Sequence, residues 1–135
     1  MKELAIVLNM DTNGLGVTRS LGRFGMPVFG ADHNDKSVEY FSKYCNKKLL
    51  LPIPTSHTQD SAETLLRKGE NLDRKTALLP TSVAYVILIS QFQKELSKYF
   101  NLIVQLQIFL LGSYSTYLEH RIIKRYASFA KVRTS

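Results

Sequence analysis

The chain opens on Leu4-Ala5-Ile6-Val7-Leu8, five apolar residues in succession, and passes at once into Asn9-Met10-Asp11-Thr12-Asn13-Gly14. An unbroken apolar run that feeds a polar turn is the pattern of a parallel strand buried on both faces. From Gly14 to Gly25 the period lengthens: Val17, Leu21 and Phe24 recur at helical intervals, with Arg19 and Arg23 on another face. This predicts a short amphipathic helix, stopped by Gly25 and by Pro27 just beyond it. Pro27-Val28-Phe29-Gly30-Ala31-Asp32 then reads as a second strand ending in an acid. Strand, glycine turn, helix and strand in this order make a βαβ unit, whose crossover is right-handed in nearly all proteins.

The alternation continues. Ser37 to Tyr44 predicts a short helix, Lys47 to Leu51 a strand closed by Pro52 and Pro54, and Ser61 to Leu72 a polar helix with Leu65 and Leu66 turned inward. Thr76 to Pro80 is a further strand, after which Thr81 or Ser82 offers a hydroxyl cap. Val83 to Ile89 is rich in β-branched residues, yet Tyr85, Leu88, Phe92, Leu96 and Tyr99 keep helical spacing over too long a stretch for one strand. A helix is expected there, and a last strand at Leu102 to Val104. The expected fold is α/β and Rossmann-like: a small parallel sheet of four or five strands flanked by helices.

Beyond Gln105 the punctuation disappears. Residues 106–135 contain no proline and no aspartate, and Glu119 is their one acid. The chain of 135 residues carries a formal charge of +7; residues 1–105 hold 13 Lys/Arg and 10 Asp/Glu, whereas residues 106–135 hold 5 and 1. More than half the excess therefore sits in a basic, Tyr-rich tail in which Tyr114, Tyr117, Leu118, Ile122, Tyr126 and Phe129 keep helical spacing. The division is thus an α/β domain over 1–105 and a tail over 106–135. The tail interleaves Arg121, Lys124, Arg125, Lys131 and Arg133 with aromatics but brings no groove-reading motif, so nucleic acid is not the expected partner. No apolar run approaches the length of a membrane span, and the start is too soon polar for a secretory signal. With Cys45 alone there is no intramolecular disulfide, and a cytoplasmic location is expected.

Several residues are candidates for chemistry. Gly14 and Gly16 lie where a strand hands over to a helix; they serve either a tight turn needing positive φ or the close approach of an anion to a helix start. Asp11 and Asp32 end the first two strands, where an acid holds ribose hydroxyls in a dinucleotide-binding fold or simply forms a polar turn. Thr81 and Ser82 would aim the start of a helix at the same edge. Arg19 and Arg23 read as a solvated face. His33, His57 and His120 are too scattered for a metal site, Cys45 lacks a nucleophile signature and reads as a buried thiol, and no serine lies in a Gly-x-Ser-x-Gly elbow. No catalytic residue and no metal ligand is assigned.

The segment from Asn13 to Asp32, Ser42-Lys-Tyr-Cys-Asn-Lys-Lys48, Leu78-Leu-Pro-Thr-Ser82 and Phe92-Gln-Lys-Glu-Leu96 together resemble the amino-terminal, pre-ATP-grasp domain of ATP-grasp carboxylate–amine ligases, over about residues 3–104. The resemblance implies a domain that lends one wall to the site of a small carboxylate or amine. ATP and magnesium would be held by later domains, and none is expected on this chain. Asp11, Gly14, Gly16, Asp32, Thr81 and Ser82 would be the substrate-contacting edge, and a separately encoded ATP-grasp domain a candidate partner. Val83 departs from the pattern, which has an acid after Pro-Thr-Ser, and after Gln105 the likeness stops. The chain is therefore expected to be the truncated or frame-shifted first domain of such a ligase, inactive alone. Two other readings stay open: a stand-alone Rossmann-type nucleotide- or dinucleotide-binding module resting on Gly14, Gly16 and Asp32, and a non-enzymatic interaction protein that uses its tail. Truncation predicts that the downstream DNA encodes the rest of an ATP-grasp enzyme, in another frame or a neighbouring gene; sequencing that finds neither refutes it.

Overall fold

The first strand, β1 (Ala5–Leu8), is buried along its whole length because it is the middle strand of the molecule. The computed structural model describes residues 4–10, 12–34 and 42–102. It contains a five-stranded, wholly parallel sheet formed by β1, β2 (Val28–Asp32), β3 (Lys47–Leu50), β4 (Thr76–Pro80) and β5 (Phe100–Leu102), in the order β3-β2-β1-β4-β5. This is the Rossmann-like α/β arrangement that the apolar runs predict. β1 is flanked in register on both sides, Ala5 facing Val28 of β2 and Ala77 of β4.

Alternation along the strands divides the core in two. Ala5, Val7, Val28, Ala77 and Leu79 point to one face, where helix α1 (Thr12–Arg23) covers them with Val17 and Leu21. Ile6, Leu8, Ala31, Leu49 and Leu78 point to the other, under α2 (Thr58–Glu70), α3 (Val83–Gln91) and α4 (Gln93–Leu96). Arg19 and Arg23 lie exposed on the outer side of α1. That helix ends as its glycine predicts. Gly25 has φ 82°, its N–H donates to the Gly22 carbonyl at 2.9 Å, and the N–H of Met26 donates to the Leu21 carbonyl at 3.2 Å. This pair of bonds satisfies the last carbonyls of the helix, and Met26 packs with Leu21 in the same cluster.

Several expectations are corrected. α1 begins at Thr12, a half-turn earlier than its apolar period reveals, so Gly14 and Gly16 lie inside the helix and have no positive φ. The turn between β1 and α1 takes its left-handed residue from Asn9 instead, at φ 81°. The long helix expected from Val83 is broken at Phe92, which has φ −114° and ψ 25°. Nine helical residues rise about 13.5 Å, close to the length of a five-residue strand, so the chain must turn there to enter β5. The last strand starts at Phe100, which pairs with Thr76 of β4, rather than at Leu102; residues 103 and 104 of the expected strand lie outside the described residues. Cys45 is half-buried, not buried; it packs against the α1 cluster, and its Sγ donates to the Lys47 carbonyl at 3.5 Å. Of the helix expected at 37–44, residues 42–44 form a bend and turn and the remainder lies outside the described residues, as does the tail.

Among the described residues no helix is long and apolar enough to cross a membrane. One buried hydroxyl is a poor fit: Ser61 in α2 is fully buried, and its Oγ has no hydrogen-bond partner among the described residues. An unpaired buried hydroxyl carries its desolvation cost uncompensated. Ser61→Ala is therefore expected to raise unfolding stability by about 1 kcal/mol, the alanine also favouring helix; urea denaturation of the two proteins measures it, and a destabilised variant would reveal a partner for that hydroxyl.

Candidate functional site

In an open parallel sheet, successive connections that leave on opposite faces open a crevice at the carboxyl ends of the two strands between which the order reverses. Here those strands are β1 and β4: α1 follows the first on one face and α3 follows the second on the other. Both helices start at this edge, so their amide-rich first turns lend it positive partial charge.

The backbone where β1 leaves the sheet is held from three sides. The N–H of Asn9 still donates to the Ala31 carbonyl of β2 at 2.7 Å, continuing the ladder by one residue. Beyond it the chain swings away through the positive φ of Asn9, and the N–H of Met10 donates to Oδ2 of Asp32 at 2.9 Å. From the β4 side, the Thr81 hydroxyl lies 2.8 Å from the Leu8 carbonyl oxygen and 2.9 Å from that of Asn9, sharing its proton between them, while the Thr81 N–H donates to Leu8 at 3.0 Å. Gly14 completes the arrangement. A Cβ at that position would run into the Asn9 carbonyl oxygen, so only glycine lets the first turn of α1 lie so close to the end of β1.

Three of the six candidate residues, Gly14, Asp32 and Thr81, thus converge on the Asn9–Met10 peptide. Gly16 and Ser82 do not. Gly16 sits on the exposed side of α1 with open space around it. Ser82 is the N-cap of α3, its Oγ accepting from the Tyr85 N–H at 3.4 Å, so the capping role falls to Ser82 and not to Thr81. Asp11 lies outside the described residues.

Asp32 is only 4% exposed. Its Oδ1 accepts from the His33 N–H at 2.7 Å and lies 3.0 Å from His33 Nδ1, so both carboxylate oxygens are engaged inside the protein. Sequence reasoning missed Asn9 and Met10. Asn9 carried one usable signal, since asparagine tolerates the left-handed region better than other residues with side chains. Met10 carried none: its side chain is fully buried over Gly30, where a Cβ would meet its sulfur at 2.8 Å.

Elsewhere, a shallow groove of about 260 Å³ lies at the amino ends of β2 and β3, lined by Gly22, Gly25, Met26, Pro27, Lys43, Tyr44 and Asn46. Asp73, exposed in the turn that leads into β4, is held below the usual carboxylate range by a hydrogen bond and the charge of Arg74. Both features are at the end of the sheet away from the crevice. Among the described residues no three His, Cys, Asp or Glu side chains gather as a metal site. No known family model and no curated protein matches the chain.

The two glycines, alike in sequence, should respond oppositely to alanine. Gly14→Ala is expected to cost about 3 kcal/mol, because the clash is with backbone and outweighs the roughly 1 kcal/mol that alanine gains in a helix. Gly16→Ala meets nothing and should stabilise by about 0.5–1 kcal/mol. Thermal or urea unfolding of both variants tests the pair, and equal effects would contradict the close approach at Gly14.

Proposed function

We propose that this chain is the substrate-wall domain of an ATP-dependent carboxylate–amine ligase of the ATP-grasp type, presenting the crevice between β1 and β4 to a small carboxylate or amine. One observation carries the reading: two helices, α1 and α3, start at the same edge of the sheet on either side of its switch point. Helix starts favour anions, and a carboxylate is the anion that the sequence resemblance supplies. The chain contributes no nucleotide site of its own in this reading. ATP and magnesium are held by a separate domain or polypeptide, which activates the carboxylate as an acyl phosphate for attack by the amine.

The strand order also supports a second reading, a stand-alone dinucleotide-binding module, because β3-β2-β1-β4-β5 is the order of such folds. Two details weigh against it. The acid at the end of β2 is buried and engaged by Met10 and His33, leaving it poorly disposed to take ribose hydroxyls. The glycines lie within α1 and not in a loop before it.

Titration of the purified chain separates the readings. Acetate is expected to shift the first-turn amides of α1 and α3 in NMR spectra with a weak, saturable isotherm, and the chain alone should not hydrolyse ATP. Micromolar binding of ATP with magnesium, or turnover of ATP without a partner, would overturn the first reading. A thermal upshift with NAD or NADP but not with carboxylates would establish the second, since a ligand that binds only the folded state raises its apparent stability.

A further inference from the structure

α3 is apolar on every side over its first two turns. Residues 83–89 form an unbroken apolar run, of which Tyr85, Val86, Leu88 and Ile89 are buried. Val83 and Ile87, one turn apart on the outer side, are 55% and 50% exposed. A helix that is apolar all round is one that the fold covers all round. At the next turn the outer side becomes polar, where Ser90 and Gln91 are exposed. The uncovered apolar stripe is therefore confined to the start of α3, at the carboxyl edge of the sheet.

The continuation of the chain can reach that stripe. β5 runs parallel to β4 with Leu102 level with Leu78, so the chain leaves β5 toward the edge at which α3 starts. Four residues after Leu102 begins the run that holds Leu106, Ile108, Phe109, Leu110 and Leu111. Four extended residues span up to about 14 Å. Adjacent strands lie about 4.8 Å apart and packed elements about 10 Å, so the run comes within contact of α3. The two surfaces also match in character: α3 has no charged residue, and the sequence has none between Lys98 and Glu119. A second copy of the chain fits less well, because a stable pair buries about 800 Å² on each partner and this stripe is two side chains long.

We propose that residues 106–111 fold back onto the start of α3 and cover Val83 and Ile87, making the beginning of the tail part of the domain's own core. The driving force is removal of apolar side chains from water on both surfaces. The assignment is independent of any ligand at the crevice.

The full chain, labelled for NMR at isoleucine methyls and phenylalanine rings, supplies the test. Nuclear Overhauser contacts are expected between the methyls of Ile87 and the ring of Phe109, and they should persist when labelled chain is diluted into unlabelled chain. Chymotrypsin gives a second readout. Ile87→Glu should be cleaved after Phe109 about tenfold faster than the parent or more, the factor expected when an apolar side chain loses its burial and cleavage follows the open population. Slow hydrogen exchange at the amides of residues 5–8 shows that the variant still folds, and Ile87→Ser is the milder companion should the glutamate disturb the sheet. Absence of the Ile87–Phe109 contact, or cleavage after Phe109 at the same rate in parent and variants, would overturn the assignment and leave the stripe to another protein. A contact seen only between differently labelled copies would overturn it in favour of a second copy.

Discussion

Everything at the crevice depends on how the backbone of a fully buried strand escapes the sheet. β1 has paired neighbours on both sides, so beyond the Leu8–Asn9 peptide, the last that the ladder holds, the backbone groups lose their strand partners in a place where water cannot easily replace them, and buried N–H and C=O groups left unpaired are costly. The molecule answers with two side chains from neighbouring strands: the Asp32 carboxylate takes the Met10 N–H, and the Thr81 hydroxyl takes the Leu8 and Asn9 carbonyls. The positive φ of Asn9 and the bare Cα of Gly14 follow from this exit, since α1 must begin within a few residues and in contact with the strand end. The candidate ligand edge is therefore first a solution to a backbone problem.

That dual use bears on function. Asp32 and Thr81 stand at the carboxyl ends of strands, where ligand-binding residues are found in folds of this kind. Their polar atoms, however, face inward to the chain. What remains for a ligand at this edge is the starts of the two helices. A residue's place at the edge of a sheet thus says less about its role than the direction of its hydrogen bonds.

The fold was largely legible in the sequence because the strands are short and buried. Ala5–Leu8 and Thr76–Pro80 are apolar runs bounded by polar turns, and they lie within one residue of where the pattern puts them. The start of α1 was hidden because its first turn, Thr12-Asn13-Gly14, is polar and small, and the apolar period becomes visible only at Val17. The break at Phe92 was hidden for the opposite reason: the period runs on through Leu96 although the backbone turns. The site was half legible. Gly14, Asp32 and Thr81 were identifiable as residues, but their roles were not, because their partners are backbone groups of Asn9 and Met10, and a backbone group has no letter in the sequence.

The place of β1 in the sheet also bears on how the molecule is made. Ala5 meets Val28 soon after it is synthesised, so β1, α1 and β2 can associate early. Its other neighbour, Ala77, emerges only after β3 and α2 have followed. Until then one flank of the most apolar segment is an open strand edge, with Ile6 and Leu8 awaiting the helices that will cover them. Such long-range closure slows folding and leaves a transient surface open to self-association, so the nascent chain is most vulnerable in the interval before β4 docks.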